Sequence, residues 1–238
     1  MSAQEVSGDV SMTIVEHLEE LRDRLIVIVV ALAVSTGFSF FYMRDLMVAL
    51  TNLVGKDFEL LGLSPMEQIV APMKVALIAG IALAMPVIIY EVVRYLLPAL
   101  TPQEKRYLYM LLPGGTISFM LGLAFAYFAM LPAMLNFLQG FMGGVIKAQW
   151  SADKYISFVT TILFWMGLVF ELPLVMFFLA KLRIVTARVL IRFWRFWVLI
   201  AAVIAAIITP TPDPINMGIV MIPLIALYGL GILLTLIA

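Results

Sequence analysis

The chain has 238 residues, of which 64% are hydrophobic and only 13% charged, and its formal net charge is zero. An ordinary soluble domain is roughly 45–50% apolar, and a soluble core of this size cannot bury so large an excess, so lipid must solvate part of the surface. Zero net charge gives no basis for a nucleic-acid partner, the absence of cysteine excludes disulfides and thiolate chemistry, and a single histidine, His17, is too few for a histidine-rich metal site.

Six apolar segments predict an all-α membrane protein that forms a single polytopic domain over residues 1–238. Crossing the hydrocarbon layer takes about 20 helical residues, and the first four segments meet that length. Proline lies inside four segments, at Pro86, Pro113, Pro173 and Pro223, which predicts several kinked helices in a concave arrangement. The predicted spans are about 25–43, 70–97, 107–135, 155–180, 196–209 and 215–235.

The basic residues predict the orientation of the chain in the membrane. Six spans put both termini on one side, and the positive-inside rule makes that side the cytoplasm. Ten of the 15 lysines and arginines would then be cytoplasmic: Arg22, Arg24, Arg94, Lys105, Arg106, Lys181, Arg183, Arg188, Arg192 and Arg195. The other five would lie outside: Arg44, Lys56, Lys74, Lys147 and Lys154.

The N-terminal segment predicts a helix that begins before the first span. Thr13 and Glu16 have capping-box spacing, and apolar residues recur on one stripe over 14–25, so this helix should lie on the membrane surface before it enters the bilayer. Glu20 stands four residues before Arg24. That spacing permits two interpretations: a helical ion pair of a few tenths of a kcal/mol, or an acid that a ligand uses.

Two further acids also have local explanations. Thr101, Pro102 and Glu104 have the pattern of an N-cap, a first-turn proline and a capping-box acid, which would start the third span. Glu171 lies roughly 15 Å deep at helical rise, and an ionisable residue at that depth is a functional candidate. The alternative is an acid that satisfies carbonyls freed by Pro173, and the sequence favours neither interpretation.

An ordered series of motifs resembles the TatC family of the twin-arginine protein translocase. Each motif is weak alone, but together they cover nearly the whole chain in the order of the family. They are HLEELR at 17–22, PVIIY at 86–90, PAL at 98–100 with EKR at 104–106, GLAFAYF at 122–128, YISF at 155–158, FELP at 170–173 and TP at 209–210.

The resemblance implies a subunit of a prokaryotic inner membrane with both termini in the cytoplasm. Such a subunit binds the twin-arginine signal peptides of folded cargo, recruits single-span TatA-type and TatB-type subunits, and associates with further copies of itself. The proton-motive force drives transport, and no cofactor, metal ion or catalytic residue is expected. The signal-binding acids of the family fall on Glu20 and Glu104, a nearby arginine on Arg22, and the intramembrane glutamate on Glu171.

The short fifth span predicts where the single-span partners bind. Phe196–Thr209 would reach only about 21 Å as a helix, against roughly 30 Å of hydrocarbon. Either the bilayer thins or partner helices cover the mismatch. We expect the partners on this side, with Thr209 and Asn216 as polar contacts.

An ion-coupled secondary transporter is the main alternative. Glu171 and the proline-broken spans would suit ion-coupled transport, although one intramembrane acid is few and no internal repeat is visible. An intramembrane hydrolase is less favoured, because HLEEL at 17–21 lacks the second histidine of HExxH and no serine has an evident base.

Overall fold

The computed structural model describes residues 14–55, 60–96, 102–141, 149–209 and 213–237, with the backbone alone at 14 and 102–111. Within these ranges the regular elements are helices, and six of them are long and apolar enough to cross a membrane. The predicted all-α fold with six transmembrane helices is therefore confirmed. The helices are α1 Ile14–Phe41, α2 Met43–Thr51, α3 Glu67–Leu96, α4 Pro102–Phe125, α5 Leu131–Gly140, α6 Ala152–Phe170, α7 Leu172–Lys181, α8 Ala187–Ile208 and α9 Pro214–Ile237.

Two of the six spans are composed of two helices each. In the third span a π-helical turn, Ala126–Met130, joins α4 to α5, and Pro132 follows within the first turn of α5. Proline has no N–H to donate to the preceding turn, and a widened turn is a common way for a helix to absorb such a defect. In the fourth span the helix breaks at Glu171, two residues before Pro173.

The fifth span begins earlier than predicted. α8 starts at Ala187 rather than at Phe196 and has 22 residues, which is about 33 Å at helical rise. The predicted start at Phe196 was wrong because Arg195 interrupts the apolar segment and was assigned to a loop. Arginine is a good helix former, so the helix continues through it. The apolar part after Arg195 is still short, so the predicted thinning of the bilayer now depends on how far the arginine side chains reach back toward the membrane surface.

Consecutive spans run antiparallel, which gives the bundle two faces. The start of α1 lies beside the end of α3, and the end of α9 lies beside the start of α8. We call this end of the bundle the terminal face. The opposite end, the loop face, carries α2 and the connections 60–66 and 149–151, which are joined by a β-bridge between Leu61 and Ser151.

The fourth span lies at the centre of the packing, whereas α1 is peripheral. α6 contributes fully buried Ile156, Ile162 and Met166 to the main core. Its approach to α4 is close, because a Cβ added at Gly122 would lie 2.9 Å from the Cα atom of Gly167, and small residues let transmembrane helices pack backbone to backbone. α1 packs mainly along α3 and leaves most of its apolar side chains exposed for lipid.

Candidate functional site

Arg24 is held between two acids at the terminal face. Its Nη2 atom donates a hydrogen bond to Glu20 Oε1 at 3.0 Å, and its Nη1 atom donates to Glu91 Oε2 at 3.1 Å. The side chains are 19% exposed for Arg24, 15% for Glu20 and 7% for Glu91. These are two charge-assisted contacts with little solvent between them, and such contacts are stronger than surface ion pairs.

Two helices bring these three side chains together. Glu20 and Arg24 lie one turn apart on α1, so they share one side of that helix. Glu91 lies in the last two turns of α3, which packs antiparallel along α1. Two carboxylates share one guanidinium, so the cluster has a formal charge of −1.

The cluster is not fully satisfied by the residues that the structure describes. Glu20 Oε2 and Arg24 Nε are buried and have no hydrogen-bond partner in the described part of the chain. Buried polar atoms normally find a partner in protein or water, and a carboxylate oxygen can accept from an additional donor. Glu20 therefore has acceptor capacity for a cationic group.

An aromatic pair extends the cluster on the same two helices. The rings of His17 and Tyr95 stack with centroids 4.4 Å apart and an interplanar angle of 13°. His17 precedes Glu20 by three residues and Tyr95 follows Glu91 by four, so each ring lies on the side of its helix that carries the acid. The stack is a second contact that fixes α1 against α3 next to the acids.

The structure does not bring the other two residues assigned to this site from the sequence into the described cluster in the same way. Arg22 is on the exposed side of α1, where its Nη2 atom pairs with Asp23 Oδ1 at 2.9 Å and both side chains are 66% exposed. Glu104 is the third residue of α4, which packs on α3, but its side chain and Thr101 lie outside the described residues. The capping interpretation of Glu104 therefore stays a prediction.

Glu171 lies at the break of the fourth span and faces α4 of the third span. The backbone N–H of Phe119 faces its carboxyl group, and a Cβ added at Gly115 would lie 3.1 Å from its Oε2 atom. Its Oε1 atom is buried without a partner in the described part of the chain. The carbonyl of Phe170, next to the break, accepts a hydrogen bond from Ser118 Oγ at 2.7 Å. Ser118 rather than Glu171 is therefore the side-chain donor to that carbonyl.

Thr209 and Asn216 are turned into the chain rather than toward the surface. Thr209 is 5% exposed and donates from Oγ1 to the carbonyl of Ala205 at 2.8 Å. Asn216 is fully buried, and its Nδ2 atom donates to Asp213 Oδ2 at 2.9 Å. Asn216 Oδ1 has no partner in the described part of the chain, so it is the atom of this pair that remains for a further contact.

Glu91 is the member of the cluster that sequence reasoning missed. In the sequence it lies near the end of the second predicted span, 70–97. The available signal was an acid inside an apolar segment, since such residues are rare in membrane spans and usually paired. Its partner could not be identified from spacing, because Arg24 and Glu91 are 67 positions apart.

Six apolar helices with a net-negative, partly unsatisfied polar cluster at one face define a multi-pass membrane protein. The family model described as "Sec-independent protein translocase protein (TatC)" matches residues 16–223. A protein of that description from Aquifex aeolicus is 38% identical over 228 residues, covering 94% of this chain and 94% of the relative. The chain therefore belongs to the TatC family, as its motifs predicted.

Other relatives and solved structures agree with this assignment. The Synechocystis protein of the same description is 36% identical, covering 96% of this chain and 89% of the relative. The chloroplast protein of Arabidopsis thaliana is 37% identical, and this chain spans 66% of its length. Two crystal structures described as the twin arginine translocase receptor TatC superpose with TM-scores of 0.83 and 0.85 at 37% and 38% identity. They cover 93% and 92% of this chain, and the match includes 99% of each of those chains.

Proposed function

We propose that this chain is the receptor subunit of a twin-arginine translocase and that Glu20 and Glu104 bind the two signal-peptide arginines. The observation that carries the proposal is the environment of Glu20. This acid already holds a guanidinium, that of Arg24, at 3.0 Å, and its second oxygen is buried with no partner among the described residues.

The chemistry of the site fits arginine better than lysine. A guanidinium presents parallel N–H donors that match both oxygens of a carboxylate, whereas an ammonium is a point charge without that geometry. Two consecutive arginines can each pair with a carboxylate only if two acids lie at the same face of the bundle. α3 packs against both α1 and α4, so Glu20 and the start of α4 flank the same helix.

Binding of a labelled signal peptide to the full chain in lipid nanodiscs tests this function. A twin-arginine peptide should bind at least tenfold more tightly than a twin-lysine peptide. Glu20→Gln and Glu104→Gln should each weaken binding by a few kcal/mol where the ion pair is desolvated, while glutamine at 104 retains a capping box.

The matched control for these variants is Asp23→Asn. It removes an exposed carboxylate on the same helix and should leave peptide affinity unchanged, because exposed pairs contribute little. Equal affinity of the parent and both glutamine variants would place the signal site elsewhere.

We also propose that the terminal face is cytoplasmic and that the membrane is a prokaryotic inner membrane. The ten-to-five division of basic residues supports this orientation. Single cysteines test it: one at Thr186, in the connection before α8, should be protected from an impermeant thiol reagent in intact cells. One at Leu63, which is 71% exposed on the loop face, should be labelled. The reverse pattern would invert the topology.

Single-span TatA-type and TatB-type subunits are the proposed partners, with further copies of the chain in the complex. We place these partners on α8 and α9, because the two helices present exposed apolar residues such as Ile207 and Ile222, at 68% and 69% exposure. Photo-crosslinkers at Ile207 and Ile222 should capture the single-span subunits. Capture only from Val34, an exposed residue of α1, would move the partner site to the first span.

An ion-coupled secondary transporter remains the second candidate, because Glu171 lies at the break of the fourth span with an unpartnered Oε1 atom in the described structure. Receptor function requires no catalytic residue, metal ion or cofactor, and we propose none. Ion-driven solute uptake into liposomes that contain this chain alone would favour the transporter. Export of a folded twin-arginine reporter only when the single-span subunits are present would favour the translocase.

A further inference from the structure

We propose that Glu91 is a positioning residue that keeps Arg24 paired with a carboxylate when an arginine of the signal peptide displaces Arg24 from Glu20. This inference rests on the proposed receptor function and assigns a role to a residue that the signal-binding acids do not include. In the free chain Arg24 is hydrogen-bonded to Glu20, so it competes with the peptide arginine for the Glu20 carboxylate. Glu91 lowers the cost of that exchange.

The geometry separates the two contacts of Arg24. Different nitrogens reach the two acids, Nη2 reaching Glu20 and Nη1 reaching Glu91. The contact with Glu91 can therefore persist when Nη2 gives up Glu20 Oε1. Without Glu91, loss of Glu20 would leave a mostly buried guanidinium with no anion, which is strongly unfavourable.

The charges support the same sequence of events. Two acids and one arginine give −1 in the free chain, and a bound peptide arginine brings the cluster to zero. With glutamine at position 91 the free cluster is neutral, and the bound cluster has an uncompensated charge of +1. Like charges in a poorly solvated site repel strongly, so the peptide should bind less tightly.

Burial makes a direct contact between Glu91 and the peptide a poor alternative. The side chain of Glu91 is only 7% exposed, against 15% for Glu20. Its carboxylate is covered by α1 and by Arg24, so it acts through Arg24. This is why removal of Arg24 should abolish the effect of changing Glu91.

A double-mutant cycle in nanodiscs tests the proposal with the twin-arginine peptide. Glu91→Gln should weaken binding about tenfold, which corresponds to about 1.4 kcal/mol. Arg24→Gln should bind at least as tightly as the parent, because it removes the competitor. The affinity of the double variant should lie within about threefold of that of Arg24→Gln, because without Arg24 the residue at position 91 has no guanidinium to position.

Three outcomes would overturn the proposal. They are unchanged affinity in Glu91→Gln, a tenfold loss on adding Glu91→Gln to Arg24→Gln, and weakened binding in Arg24→Gln alone. Glu91→Asp, which keeps the charge, should bind more tightly than Glu91→Gln. A merely structural defect would weaken binding equally with and without Arg24, so the double variant separates the two explanations. If Glu91→Gln does not fold, Arg24→Gln and Glu91→Asp decide the question.

The parent chain separates this proposal from the receptor function itself. If the parent does not prefer the twin-arginine peptide over the twin-lysine peptide, the receptor function fails, and this inference fails with it. If the parent shows the preference and the cycle shows no coupling between positions 24 and 91, only the role of Glu91 is wrong.

Discussion

Loss of either acid around Arg24 should destabilise the free chain much less than loss of both. The perturbations are Glu20→Gln, Glu91→Gln and the double variant, measured without any peptide. Each single change leaves Arg24 one carboxylate at about 3 Å and an amide oxygen in place of the other. We therefore expect a loss of about 1 kcal/mol for each single variant.

The double variant removes both anions that Arg24 contacts in the described part of the chain. Arg24 is 19% exposed, and an arginine buried to that degree without a counter-ion costs roughly 3–5 kcal/mol. The double variant should thus lose about 1–3 kcal/mol more than the sum of the single variants, which is the size of coupling expected for residues in one network.

Reversible unfolding in mixed micelles with increasing detergent denaturant, followed by tryptophan fluorescence, measures these differences. Asp23→Asn is the control, because its side chain is 66% exposed, and it should stay within about 0.5 kcal/mol of the parent. Additive losses within about 0.5 kcal/mol would refute the idea that the two acids share one arginine.

Three further predictions concern helix packing, a helix end and the intramembrane acid. Gly122→Ala should lower the free energy of unfolding by about 1–3 kcal/mol, because the new Cβ would lie 2.5 Å from the carbonyl oxygen of Met166 and 2.9 Å from the Cα atom of Gly167 in α6; Gly218→Ala has nothing within 4 Å and should cost nothing in the same assay. Arg183 lies two residues after the end of α7, directly after its C-cap Leu182, with a φ of 58°. This φ is unfavourable for any residue with a Cβ, so Arg183→Gly should raise the unfolding free energy by about 1 kcal/mol, and a loss instead would show that its side chain stabilises the chain. Glu171→Gln should retain more export of a twin-arginine reporter than Glu171→Leu, because glutamine can still accept from the N–H of Phe119, and equal loss in both would mean that ionisation matters.

Local sequence was sufficient for the number and nature of the spans. Hydropathy reports which solvent a segment needs, and that requirement depends on the segment alone. The motif order likewise identified the family before any contact was known. Boundaries were less certain, as the start of α8 at Ala187 shows, because arginines near a membrane surface are compatible with both a helix and a loop.

The tertiary structure decided which polar residues meet. Glu20 and Arg24 are paired by helical spacing that is visible in the sequence, but the second acid on Arg24 comes from α3, 67 positions away. Thr209 and Asn216 were expected to offer polar contacts to partners; the fold buries both side chains, and their role in partner binding stays a prediction. Hydropathy and local spacing are almost unaffected by how a helix is rotated about its axis, whereas the contacts of its polar side chains depend entirely on that rotation. Packing between helices distant in sequence fixes the rotation, as where Gly122 meets Gly167, so the arrangement of the site could be read only from the folded chain.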